Sequence, residues 1–287
     1  VTRKHWKGLI FISLLAILFI AGGCAFLSDL SNPEKPEVSV MNQRVVALSL
    51  NEVDLEIDLL IHNPNRFSVP VGALDYEVKV QGYSLLSGQQ MENFTLQQQA
   101  ESLVTLPLTI QFSEVASFLG GVINANQLNY QVLGGISFNI PLLGSKRVPV
   151  QTEGDFPIPQ PPRIQLAGLK ADSLSFSRAR LILDLELSNP NIFSLQIDEF
   201  DYGLHLKDQK MVGGGLAPGL LLAAGDSTRV EIPFSVRLSD LGTQAFASLT
   251  QGVPLDYVFS FSTVWSSGFS ALKPFEYAAE REGKLSL

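Results

Sequence analysis

Two stretches of the chain alternate apolar and polar side chains residue by residue. Val53, Leu55, Ile57, Leu59 and Ile61 interleave with Glu52, Asp54, Glu56 and Asp58, and Leu181, Leu183, Leu185 and Leu187 keep the same parity further on. A period of two is the mark of a strand with one face buried. Leu74, Tyr76, Val78 and Val80 predict a second such strand, matched by Phe200, Tyr202, Leu204 and Leu206. Pro107 and Pro233 interrupt apolar, strand-like runs. Proline cannot donate to a ladder, so both predict an edge strand or a bulge. Helical spacing is convincing once per half: Ser113 is placed to cap Val115, Phe118, Leu119 and Val122, and Ser239 to cap Leu241, Ala245 and Leu249.

These patterns are duplicated. Asn63-Pro64-Asn65-Arg66-Phe67-Ser68 returns as Asn189-Pro190-Asn191-Ile192-Phe193-Ser194, an offset of 126 residues. The same offset carries Leu74-Asp75-Tyr76 onto Phe200-Asp201-Tyr202, Leu106-Pro107-Leu108 onto Ile232-Pro233-Phe234, and Ser113 onto Ser239. With one insertion, Leu128-Asn129-Tyr130 falls on Leu255-Asp256-Tyr257. So long a period describes whole domains rather than solenoid units. Many strands, short turns and one helix per copy predict a mainly β chain with two tandem immunoglobulin- or fibronectin-like β-sandwiches. The expected domains are 39–158 and 163–287, joined by a proline-rich linker at 159–162 that limits their relative orientations.

The N-terminus has a different character. Thr2 to Lys7 is basic, Leu9 to Ile20 is almost wholly apolar, and Ala21-Gly22-Gly23 puts small residues before Cys24. This is the layout of a secretory signal peptide over 1–23, with an apolar run shorter than the roughly 20 residues a membrane-spanning helix needs. Small residues ending in the chain's only cysteine resemble the lipobox of bacterial lipoproteins, although Ile20 and Ala21 stand where leucine is more usual. The resemblance implies cleavage before Cys24, a diacylglyceryl thioether on its thiol, an acyl chain on its freed amine, and a membrane held as partner through that lipid. Ala25 follows the cysteine where lipoproteins kept in the inner membrane often carry aspartate, which points to the periplasmic face of an outer membrane. Residues 24–38 are expected to hold the lipidated cysteine and a tether, whose dozen positions 25–36 reach about 40 Å if fully extended.

The Asn-Pro-Asn triplet directly after an alternating strand, then an aromatic, a second strand and a later helix, resembles the water-stress and hypersensitive-response domain of the group 2 late embryogenesis abundant proteins. The resemblance covers both halves and implies an immunoglobulin-like or fibronectin-like sandwich, an association with desiccation and other stress, and no catalytic residues. The residues alone also explain the triplet: Asn63 and Asn189 are expected to bond backbone two positions on, and Pro64 and Pro190 to fix the turn.

Net charge is −8, and near −11 once the leader's three basic residues are gone, which argues against a nucleic-acid groove. A single cysteine excludes a disulfide framework and clustered-thiolate metal sites. His62 and His205 fall at non-equivalent positions and are expected at the solvated surface. Asp54, Glu56 and Asp58 share a strand face but are not repeated at Arg180, Ile182 and Asp184, so a solvated acidic face is expected and no metal site. Gly213-Gly214-Gly215 lacks a following Lys-Ser or Lys-Thr and is expected to be a turn. No cofactor and no nucleophile-base constellation is expected.

The copies differ most at 216–224, where Leu220, Leu221 and Leu222 replace part of the polar stretch 90–98. Two readings stand: an exposed patch for a partner protein or membrane surface, or side chains folded into the core. The functional expectation is a non-enzymatic, lipid-anchored envelope protein of the stress-protection type, the alternative being an adaptor that docks one envelope complex. The sequence leaves the oligomeric state open.

Overall fold

The computed structural model describes residues 33–285 apart from 92–93, 119–124, 207–208, 241–246 and 249–250. The leader 1–23, Cys24 and the tether up to residue 32 lie outside the described residues.

The expected tandem β-sandwich holds. The first unit contains β1 (Glu37–Leu48), β2 (Glu52–His62), β3 (Val69–Val80), β4 (Tyr83–Met91), β5 (Thr95–Leu96), β6 (Glu101–Gln111), α1 (Phe112–Phe118), β7 (Gln127–Ile140) and β8 (Gly144–Pro157). The second contains β9 (Arg163–Leu174), β10 (Arg178–Ser188), β11 (Leu195–Leu206), β12 (Gln209–Gly215), β13 (Leu220–Leu222), β14 (Ser227–Arg237), β15 (Leu255–Ser267) and β16 (Phe275–Leu285). One sheet of each unit has three strands, ordered β1-β2-β6 and, in the second unit, β9-β10-β14. The other runs β4-β3-β7-β8 with β5 on β3, and again β12-β11-β15-β16 with β13 on β11. All strand pairs are antiparallel.

The duplication reaches irregularities that hydropathy does not show. β1 bulges at Met41 and Val46, and β9 bulges at the positions 126 residues on, Ala167 and Asp172. A bulge residue has no cross-strand partner and its strand bends there. Met41 and Val46 are accordingly exposed although they are apolar. Pro107 and Pro233 lie in β6 and β14, both edge strands, as their missing N–H requires. Tyr76 lies opposite Gly88, Tyr130 opposite Gly154, Tyr202 opposite Gly214 and Tyr257 opposite Gly283. A Cβ on Gly88 would stand 2.5 Å from the Tyr76 hydroxyl, so these glycines seat the neighbouring rings.

That pairing corrects the expectation for Gly213-Gly214-Gly215, which form the end of β12 rather than a turn. The capping expectation also fails at Ser113. Ser113 sits inside the first turn of α1, and the Phe112 N–H that opens the helix donates to the Asn51 carbonyl at 2.8 Å. Ser239 lies in a short 3₁₀ turn, Leu238–Asp240, with its hydroxyl on Asp240. Of the residues expected to follow these caps, Leu119, Val122, Leu241, Ala245 and Leu249 lie outside the described residues.

Inward-facing residues of both sheets form one core per unit. In the second, Trp265 is fully buried and donates its indole N–H to the Thr263 hydroxyl at 2.7 Å. The units touch at one end: Leu272 of the second packs into the first unit's core, and the Leu48 N–H donates to the Ala271 carbonyl at 2.8 Å.

Candidate functional site

The two Asn-Pro-Asn turns join the two sheets of each unit, between β2 and β3 and between β10 and β11. Their four asparagines are buried, which is affordable only when every amide group is paired. Asn63 Oδ1 accepts the Asn65 N–H at 3.1 Å and Asn65 Nδ2 at 3.0 Å, while Asn63 Nδ2 donates to the carbonyls of Phe67 at 2.9 Å and Gln97 at 3.0 Å. Asn189 does the same: its Oδ1 accepts the Asn191 N–H and Nδ2, both at 3.0 Å, and its Nδ2 donates to the carbonyls of Phe193 at 2.7 Å and Ala223 at 3.0 Å. The bond to backbone two residues on is therefore present in both turns.

The second asparagine performs a task that side-chain patterns did not reveal. Asn65 Nδ2 donates to the Glu34 carbonyl and its Oδ1 accepts the Glu34 N–H, both at 2.8 Å. Asn191 grips Gln160 identically, donating to its carbonyl at 2.9 Å and accepting its N–H at 2.7 Å. Each pair copies a ladder contact with a side-chain amide, and so pins the chain where it enters a unit. The proline-rich linker is held down at its middle as well as stiffened by proline. Glu34 and Gln160 are themselves 126 residues apart, but they take part through backbone, so their side chains carry no signal.

The acidic strand face is not simply solvated. Asp58 is buried, accepts the Thr105 hydroxyl at 2.7 Å and pairs with Arg44, which also pairs with Glu56. The Thr105 hydroxyl and then the Arg44 guanidinium hold the Asp58 carboxyl below its usual range. In the second unit the equivalent Asp184 is buried beside Lys170, the counterpart of Arg44, at 3.2 Å. The cross-strand ion pair is thus duplicated while its neighbours are not. His62 departs from expectation too: its Nδ1 is buried without a hydrogen-bond partner. His205 is half-buried in β11.

Leu220, Leu221 and Leu222 form β13 rather than a continuous patch. Leu222 is fully buried, Leu220 is partly buried against the core, and Leu221 alone faces outward. Among the described residues, no group of three or more His, Cys, Asp or Glu side chains is placed to hold a metal, and no helix is long and apolar enough to cross a membrane. The turns offer amide groups saturated by backbone, so their chemistry is positional.

The desiccation-related protein of Arabidopsis thaliana is 24% identical over 134 residues, covering 47% of this chain and 81% of that protein. The late embryogenesis abundant protein Lea14-A of Gossypium hirsutum is 20% identical over 133 residues, covering 46% and 88%. Each alignment spans about the length of one of the two units. A solution structure of a late embryogenesis abundant protein aligns at 22% identity and a TM-score of 0.38, over 55% of this chain and 90% of that one. The family profile described as late embryogenesis abundant protein matches residues 58–154 and again 184–275, once in each β-unit. The chain belongs to the late embryogenesis abundant protein family, with two copies of its domain in tandem.

Proposed function

We infer that this is a non-enzymatic protein of the desiccation and water-stress response, of the group 2, hypersensitive-response type, tied to a cell-envelope membrane by lipid on Cys24. The observation that carries the reading is the double family match, joined to a basic, apolar and small-residue leader that ends at the chain's only cysteine. Two relatives bear desiccation or late-embryogenesis names. The physical step in this reading is a weak, reversible shield: two acidic sandwiches on a tether cover envelope proteins and lipid surfaces at the periplasmic face of the outer membrane. The positive mean hydropathy of +0.20 and the packed cores oppose a water-replacing coil. The adaptor alternative keeps the stretch 216–224 with a smaller apolar contribution, because of the three leucines in β13 Leu221 alone faces outward.

Cys24→Ser is expected to abolish incorporation of labelled palmitate and to move the protein from the membrane to the soluble fraction. Deletion is expected to lower survival of drying, with rescue by the parent chain and not by the Cys24→Ser variant. Unchanged fractionation would overturn the anchor, and unchanged drying survival would overturn the stress role.

A further inference from the structure

We propose that the chain assembles head to tail with further copies of itself, using at its two free ends the contact that joins its own two units.

Strand register sorts each unit into two ends. At one end lie the Asn-Pro-Asn turn and the loop between the seventh and eighth strands, because Val71 pairs with Phe138 in one unit and Leu195 with Ser267 in the other. At the opposite end lies the hairpin between the first two strands. Inside the chain, the hairpin end of the first unit meets the turn end of the second. Leu48 of the β1–β2 hairpin is 2% exposed, bridges Leu272 in parallel, and donates its N–H to the Ala271 carbonyl. Phe193 of the second turn stacks on Phe269, ring centroids 5.9 Å apart, and both pack against the first unit's core.

Among the described residues the same two ends recur without a neighbouring unit. The β9–β10 hairpin carries Leu174 where the first unit has Leu48, and Phe176 where it has Leu50. Leu174 is 55% exposed and Phe176 is exposed to the full. At the other extreme the β7–β8 turn presents Leu142, 80% exposed and in the left-handed region at φ 63°, beside Leu143. That turn has three residues where its counterpart has seven, yet it still offers two apolar side chains. Stacked repeats stay soluble as single arrays when their outer faces are polar, and here each outer end exposes a pair of large apolar side chains among polar ones. A contact between unlike ends does not close on itself and generates open chains. One interaction therefore accounts for both exposed ends: Leu174 and Phe176 of one copy seat on Leu142 and Leu143 of the next.

The test is sedimentation velocity of the full chain in a mild detergent, across a concentration series. The parent is expected to grow beyond a dimer as concentration rises. Phe176→Glu and Leu142→Glu, each with one end disabled, are expected to sediment as monomers alone and to form a species no larger than a dimer when mixed one to one. Both positions are exposed; unchanged Trp265 fluorescence checks the second unit in Phe176→Glu, and unchanged thermal melting by circular dichroism checks the first unit in Leu142→Glu. A parent that stays monomeric overturns the proposal. So does a variant that associates like the parent, since this assigns the contact to the apolar run 9–20 or to like ends. Binding of the monomeric parent to phosphatidylcholine–phosphatidylglycerol vesicles, lost in both variants, would overturn it in favour of a lipid surface.

Discussion

Asn189→Ala tests whether a buried side-chain amide holds the second unit together. The substitution removes two accepted bonds, from the Asn191 N–H and Nδ2, and the donated bonds to the Phe193 and Ala223 carbonyls, with a longer one to the Leu222 carbonyl at 3.3 Å. A made hydrogen bond contributes about 0.5–1.5 kcal/mol net, and a buried group left unpaired costs about 1–3 kcal/mol. Three donated contacts share one NH₂ with two hydrogens, so the terms overlap, and a loss of about 3 kcal/mol is expected, a shift of roughly 150-fold in the unfolding equilibrium. Only Trp6 and Trp265 exist, and Trp265 is buried in the second core, so a urea titration followed by its fluorescence reads that unit. With a slope of about 2 kcal/mol per molar, the midpoint should fall by about 1.5 M. Asn189→Asp keeps the acceptor but sets a second oxygen against the Phe193 and Ala223 carbonyls. The new carboxyl's folded pKa is expected to rise, so this variant is most stable at low pH and weakens as pH rises through that value. A midpoint within about 0.2 M of the parent for Asn189→Ala, inside the ordinary scatter of about 0.5 kcal/mol for surface substitutions, would refute the reasoning.

Gly134→Ala would place a Cβ 2.6 Å from the Asp75 carbonyl oxygen in the adjoining strand, and a loss of about 1–3 kcal/mol is expected in thermal melting. Gly168→Ala meets nothing within 4 Å and should leave stability within about 0.5 kcal/mol. Leu222→Ala is expected to cost about 2–5 kcal/mol by Trp265-monitored unfolding, whereas Leu221→Glu two atoms of chain away should leave the midpoint unmoved. The Asp58 carboxyl titrates below its unfolded value of about 3.9, so the stability it contributes is complete above that pH and disappears as pH falls through the depressed folded value. Asp58→Asn should therefore lower stability at neutral pH and flatten its acid dependence in denaturant titrations between about pH 2 and 5.

The alternation around Val53–Ile61 and Leu181–Leu187, and its return after 126 residues, by themselves determined strand identity, the buried face and the two-unit plan. They could do so because a half-buried strand writes its environment into every second side chain. Pro107 and Pro233 likewise announced edge strands through a donor they lack. The leader and Cys24 carry an expectation of the same local kind, on residues that lie outside the described ones. Tertiary structure alone decided the rest. The grip of Asn65 on Glu34 and of Asn191 on Gln160 ends on backbone, and a peptide group is the same under any side chain. Gly213–Gly215 read as a turn because glycine permits turns, but the rings packed across the neighbouring strand decided otherwise. Leu220, Leu221 and Leu222 are identical letters with three different exposures. Which of them meets water depends on where β13 pairs with β11, and pairing between distant segments is settled only when the sheet closes.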